Sequence, residues 1–283
     1  MDEVRTIGVV GLGAMGSGIA QVALEAGYAV VGREVTIELA EGARGRVGHF
    51  LRRKAAKGEL AEEAVEDALG RFAITTELAD VAGADLVIEA IVEVLEPKQA
   101  LFAELGAIAP QAILATNTSA LSVTAIASAA PQPERVVGMH FFNPVPLMPL
   151  LEVVKAELSG NAAVATAVAV GEALGKQVVT CRDTPGFVVN RVLVPLLNDC
   201  IRALDDTGAT PEELDLALTA GTGWPMGPCA LADLVGIDVH VHAAEALYAR
   251  TREPRMAPPS RLVAMRDAGL LGRKSGRGFY EYV

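Results

Sequence analysis

Apolar positions in the first two-thirds of the chain fall into short uninterrupted runs separated by stretches of helical spacing; in the last third only helical spacing persists. Thr6–Val10 is the first run, and Ile19, Ala20, Val22, Ala23 and Leu24 behind it suit the buried face of a helix. Tyr28–Gly32, Leu86–Ile88 within the strand-like stretch Asp85–Ala90, and Ile113–Ala115 are further runs. Strands without polar alternation are covered on both faces, and strands of that kind that alternate with helices build a parallel sheet. The pattern therefore predicts an α/β, doubly wound sheet for residues 1–184, with a helical insert near 36–70. Beyond Thr184 the alternation stops. Val192–Cys200 continues a helix out of Asn190 and Arg191, and Pro211–Leu218 reads as a helix with proline in its first turn and acids beside it. Residues 185–283 are expected to form a separate all-helical domain, the boundary lying near Asp183–Gly186. The glycines and prolines of Gly221–Pro228 predict a loop.

The turn after the first run carries chemistry. Gly11-Leu12-Gly13-Ala14-Met15-Gly16 is G-x-G-x-x-G between a strand and a helix, the context in which the motif binds a dinucleotide. Gly11 permits the tight turn, Gly13 lets a pyrophosphate approach the backbone, and Gly16 brings helix against strand; Ala14 and Met15 open the helix whose N-terminus faces the anion. The next strand ends on Glu34, 18 residues after Gly16, near the offset at which a carboxylate meets the ribose 2′-hydroxyl. Glu34 repels a 2′-phosphate and favours NAD. Neighbouring Arg33 could attract one, so NADP stays open as the lesser choice.

Composition narrows the partners. The 283 residues are 51% hydrophobic and 21% charged, a globular balance, and the net charge of −11 argues against nucleic acid or an anionic membrane surface. The uncharged stretches Thr6–Leu24 and Leu105–Pro133 are broken by glycines, or by prolines and polar residues, and are not expected to span a membrane. Cys181, Cys200 and Cys229 lie far apart without metal spacing, which suits a reducing cytoplasm and no structural metal; His240 and His242 likewise have no third ligand nearby. Against the acidic background Arg44–Lys57 holds six basic residues and no acid. That segment is either a docking surface for phosphates or the solvated face of a helix balanced by Glu59, Glu62 and Glu63.

Two polar clusters complete the candidate chemistry. Asn117-Thr118-Ser119 follow an apolar strand, at the strand end where open α/β sheets place ligands. His140 is followed twelve residues later by Glu152 across an apolar, proline-punctuated segment, the pattern of a general base and its orienting carboxylate. The bland alternatives are a satisfied core histidine and an outward-facing acid on a short strand.

Taken together, Gly11–Ala20, Asp85–Glu93, Asn117–Ser119, Met139–Pro144, Asp183–Arg191 and Leu271–Tyr280 resemble the L-3-hydroxyacyl-CoA dehydrogenases, above all the short bacterial 3-hydroxybutyryl-CoA dehydrogenases. The resemblance implies a Rossmann-type NAD-binding domain and a helical C-terminal domain for substrate and dimerisation. It also implies reversible NAD-dependent oxidation of a short (3S)-3-hydroxyacyl-CoA in fatty acid β-oxidation chemistry, by a cytoplasmic homodimer. By the same resemblance His140 is the base, Glu152 orients it, and Ser119 and Asn190 hold the substrate oxygen. Glu93, Lys98 and Asn117 contact the nicotinamide half of the cofactor, Glu34 the ribose, and Lys54 and Lys57 coenzyme A. The chain departs from the family at Glu34, commonly aspartate, and at Ala120, where many relatives carry serine. Two other readings stand beside it: a dehydrogenase of hydroxyadipyl-CoA or a free sugar acid, and a non-catalytic, crystallin-like NADH-binding protein.

Overall fold

The computed structural model describes residues 4–282, which form two compact units that meet in sequence between Thr184 and Pro185. In the first, the elements run β1 (Thr6–Val10), α1 (Ala14–Glu25), β2 (Ala29–Arg33), α2 (Ile37–Ala56), α3 (Glu62–Gly70), β3 (Phe72–Thr75), β4 (Leu86–Glu89), α4 (Leu95–Ile108), β5 (Ile113–Thr116), α5 (Val123–Ala127), β6 (Val136–Phe141), β7 (Leu150–Lys155), α6 (Asn161–Ala173) and β8 (Gln177–Arg182).

The eight strands make one sheet in the order β3-β2-β1-β4-β5-β6-β7-β8, with β6 and β7 antiparallel and every other neighbouring pair parallel. β4, β5 and β6 are buried along their whole length, as the unbroken apolar runs require of strands covered on both faces. The order reverses between β1 and β4, and the crevice beyond the carboxyl ends of these two strands is where a doubly wound sheet takes its ligand. Ile7, Val9, Ile88, Ala115, Val137 and Met139 form the spine of the core, with Ile19, Ala23 and Leu24 packed on it from α1. The predicted doubly wound sheet is the observed one.

The second unit is helical: α7 (Val189–Thr207), α8 (Pro211–Thr222), α9 (Pro228–Val235), α10 (Ile237–Thr251) and α11 (Ser260–Asp267). Its core gathers Ile201, Leu204, Cys229, Ile237, Val241 and Leu262. The Thr210 hydroxyl accepts the Glu213 amide, and the Glu213 carboxylate accepts the Thr210 amide, a reciprocal cap that starts α8. α8 does not stop where glycine first occurs: Gly221 and Thr222 belong to it, and the predicted loop begins at left-handed Gly223. One glycine in a last turn costs little, whereas the left-handed residue after it ends the helix. The carboxyl-terminal segment is tied down by Asp233, which accepts the amides of Phe279 and Tyr280. His240 is buried against Asn198 and His242 is exposed; among the described residues no cluster of side chains has a metal-binding arrangement.

Candidate active site

The turn between β1 and α1 is built by what its glycines lack. Gly11 takes φ +88°, and a Cβ there would lie 2.7 Å from the Ala90 carbonyl oxygen; a Cβ on Gly16 would lie 1.8 Å from that of Gly11. Gly13, the residue before α1, has open space where its side chain would be, and no side chain caps the helix. Ala14 and Met15 therefore begin a helix whose first amides face room for a phosphate. Glu34 stands beside this turn, its carboxylate accepting the amides of Leu12 at 2.9 Å and Val35 at 2.7 Å. Arg33 turns its Nε to the Thr76 carbonyl. An open cradle with an acceptor-only carboxylate at its side fits a dinucleotide whose ribose presents a diol.

His140 and Glu152 face each other in the β6–β7 ladder, partners in the same rung. Glu152 Oε2 lies 2.8 Å from His140 Nδ1; the imidazole is 6% exposed and the acid has no exposed surface. The outward-facing alternative for Glu152 is thereby removed. An ionised carboxylate only accepts, so this contact puts the proton on Nδ1 and leaves Nε2 as the basic nitrogen. The Phe142 ring rests against the imidazole, centroids 4.6 Å apart. Between the strands the chain turns through a cis Asn143–Pro144 bond and amides of Leu147 and Met148 that both donate to the Pro144 carbonyl.

A second polar cluster lies at the ends of β4 and β5. Asn117 accepts the Phe141 amide through Oδ1, which ties the end of β5 to β6 beside His140. Glu93 gathers the turn after it: its Oε1 accepts the Thr118 hydroxyl at 2.6 Å, the amides of Ser119 and Ala120, and the Ser119 hydroxyl at 3.3 Å. Burial alone would lift the Glu93 carboxyl. The Thr118 hydroxyl, the Lys98 ammonium and the two amides outweigh it and hold the group below the usual carboxylate value. Lys98 has no exposed surface; it pairs with Glu89 and, at 3.4 Å, with Glu93. Its place at the site is thus as a brace for two carboxylates, and it meets the cleft through Glu93. Glu89, which sequence reasoning passed over, is the hub beneath: it also accepts the Thr116 hydroxyl and the Ile91 amide. The available signal was an acid ending a strand with no other polar residue.

The basic segment resolves into two groups. Arg44 donates to the Leu69 carbonyl, Arg46 to the Leu12 carbonyl, Arg52 pairs with Glu66, and Lys54 pairs with Glu25 at 2.8 Å. Arg53 and Lys57 have no such partner among the described residues and line the rim of a cavity of about 620 Å³. Its walls are largely apolar and include Val47 and Phe50 from α2, Asn143, Pro144, Val145 and Leu147 of the β6–β7 turn, and Ala14 and Ser17 of α1; Arg46, Lys54 and Glu59 also line it. The acids that pair with the segment are Glu25 and Glu66, not the expected Glu59, Glu62 and Glu63. Asn190 lies in the other unit, in the first turn of α7.

Comparison with known proteins accounts for both units. Residues 6–184 match the family model of the 3-hydroxyacyl-CoA dehydrogenase NAD-binding domain and residues 186–282 that of its C-terminal domain. A 3-hydroxybutyryl-CoA dehydrogenase of Mycobacterium tuberculosis is 45% identical over 99% of both chains, and a probable one of Bacillus subtilis 42% identical over 99% of this chain and 98% of its own. The crystal structure of (S)-3-hydroxybutyryl-CoA dehydrogenase from Ralstonia eutropha superimposes with a TM-score of 0.95 at 37% identity, covering 99% of this chain and all of that one. With both of its domains matched and relatives aligned from end to end, the chain belongs to the 3-hydroxyacyl-CoA dehydrogenase family.

Proposed function

We propose that the chain catalyses the reversible, NAD-dependent oxidation of a (3S)-3-hydroxyacyl-CoA of short chain, such as 3-hydroxybutyryl-CoA, to the 3-ketoacyl-CoA. The observation that carries this reading is the buried His140–Glu152 pair, placed in the sheet that also bears the glycine turn. In the direction of oxidation Nε2 of His140 takes the hydroxyl proton, and Glu152 stabilises the imidazolium that results. Ser119 and Asn190 are assigned to the substrate oxygen. NAD, when bound, supplies the hydride acceptor for C3. The cradle of Gly11, Gly13, Ala14, Met15 and Gly16 is assigned to its pyrophosphate and Glu34 to the adenosine ribose; the fixed carboxylate there disfavours NADP. Asn117 and Glu93, the latter braced by Lys98, are assigned to the nicotinamide half.

The apolar cavity suits the pantetheine arm of coenzyme A, with Lys57 and Arg53 at the phosphates. Lys54 joins them only by sharing or leaving Glu25. We assign residues 185–283 to substrate binding and dimerisation. In support, Val192 and Leu216 there are more than 60% exposed, apolar surface of the kind a homodimer covers. Three unpaired thiols accord with the cytoplasm.

The test is NADH consumption with acetoacetyl-CoA, longer 3-ketoacyl-CoAs, 3-ketoadipyl-CoA and free 3-keto acids. Turnover is expected to be highest with acetoacetyl-CoA, and His140→Ala is expected to abolish it while NADH still binds. A free acid turned over faster than every thioester, or near-normal turnover in the variant, would refute the assignment.

A further inference from the structure

The turn that joins the base to its carboxylate is held from behind by one buried ammonium. Gln177 donates its amide to the Pro149 carbonyl, just before the Leu150–Gln177 rung that opens the β7–β8 ladder. Lys176 thus stands one step ahead of the ladder, beneath the turn, with 8% of its surface exposed. Its Nζ donates to the carbonyls of Val145 at 2.6 Å and Met148 at 2.9 Å. Helix α1 packs closely on the same turn: a Cβ on Gly18 would lie 2.9 Å from Val145 Cβ. Val145, 2% exposed, meets the helix through its side chain and the ammonium through its carbonyl, and it lines the cavity with Asn143, Pro144 and Leu147.

The charge is costly where it stands. Burial lowers the pKa of Lys176; Glu25 raises it and Lys54 lowers it, which places the ammonium in the same electrostatic neighbourhood as the Lys54–Glu25 pair at the cavity. An apolar side chain of equal length would fill the space without that cost but could not tie together two carbonyls three residues apart.

We propose that Lys176 is a positioning residue for the acyl-CoA cleft, fixing the Asn143–Leu147 wall against which the substrate's arm docks. It rests on the function proposed above. The His140–Glu152 contact belongs to the ladder and Glu34 to another part of the sheet, so loss of Lys176 should weaken the acyl-CoA and spare the cofactor.

The test is steady-state kinetics of the full chain with acetoacetyl-CoA and NADH, beside NADH titration by fluorescence. Lys176→Met is expected to raise KM for acetoacetyl-CoA about tenfold, with NADH affinity within about twofold of wild type. Lys176→Arg, which keeps charge and several donors, is expected to restore most of the loss. An unchanged KM, or equal weakening of both ligands, would overturn the proposal. Should Lys176→Met not fold, Lys176→Gln is read by the same two criteria. Absence of wild-type turnover with acetoacetyl-CoA would instead refute the proposed function and remove the premise of this one.

Discussion

Replacing Glu152 with glutamine probes the assigned base through a side chain one step removed from the substrate. The acid has no exposed surface and lies 2.8 Å from His140 Nδ1, so two effects of the change can be worked out. The first is charge. Unit charges about 4 Å apart at an effective dielectric of about 20 attract by about 4 kcal/mol, which is what the carboxylate offers the imidazolium formed during turnover. The amide dipole returns part of this, and a net loss of about 3 kcal/mol lowers kcat by about a hundredfold. The second is tautomeric. A carboxylate can only accept from Nδ1, whereas an amide can donate to it, which moves the proton to Nε2 and disables the base. Both effects act in the same direction. Glutamine is nearly isosteric, so the ladder that places the two residues should persist. The assay is kcat for (3S)-3-hydroxybutyryl-CoA oxidation beside NADH affinity and thermal midpoint. A kcat within about threefold of wild type would sink the reasoning, and so would a parallel collapse of NADH binding, which would mark Glu152 as a structural residue.

Two further outcomes follow from other parts of the chain. His240 is pushed by burial from 6.5 to about 4, so the unfolded chain binds a proton near neutrality that the folded chain refuses. Its contribution to stability is intact above pH 6.5 and falls as pH drops towards 4, by about 3 kcal/mol in all. Urea unfolding of wild type and His240→Gln between those limits should show the steeper decline in wild type; parallel curves would contradict this. At the ribose site, Glu34→Ser should weaken NADH about tenfold and narrow the gap between NADH and NADPH, because it removes an acceptor and a repulsive charge together. Equal use of both cofactors by the wild type would dispose of that argument.

How much the sequence disclosed depended on the range of the interaction that writes each residue. The glycine turn was legible because its constraint is local: only glycine tolerates φ +88° against the Ala90 carbonyl, and a strand and helix flank it in plain view. The sheet was legible because burial on both faces keeps β4 to β6 apolar except near their carboxyl ends, where Glu89, Thr116 and His140 stand. The contact between His140 and Glu152 needed more, since a spacing of twelve is compatible with several registers and only the ladder puts them in one rung. The basic segment was ambiguous because the acids that neutralise it come from elsewhere, Glu25 on α1 and Glu66 on α3. Glu89 and Lys176 went unnoticed for one reason: a charge beside an apolar strand reads locally as the place where the strand meets water. Both are buried, and the contacts that bury them include partners remote in sequence, Thr116 for Glu89 and Val145 for Lys176.

The partition of the basic segment bears on how so acidic a chain handles two polyanionic ligands. A net charge of −11 gives no long-range attraction for either, and at physiological ionic strength fields fade over about 8 Å in any case. Recognition therefore has to come from contact. Four of the six bases are paired within the chain, and two of these stand at the proposed ligand sites: Arg46 holds the Leu12 carbonyl of the glycine turn, and Lys54 meets Glu25 at the cavity. The remaining pair, Arg53 and Lys57, stand at the rim of a cavity whose walls are mostly apolar. A small free anion gains the two cations and leaves the walls wet. A ligand that joins phosphates to a long, sparsely polar arm would gain both, so under the proposed assignment the cavity would select for the whole thioester carrier by geometry and not by charge.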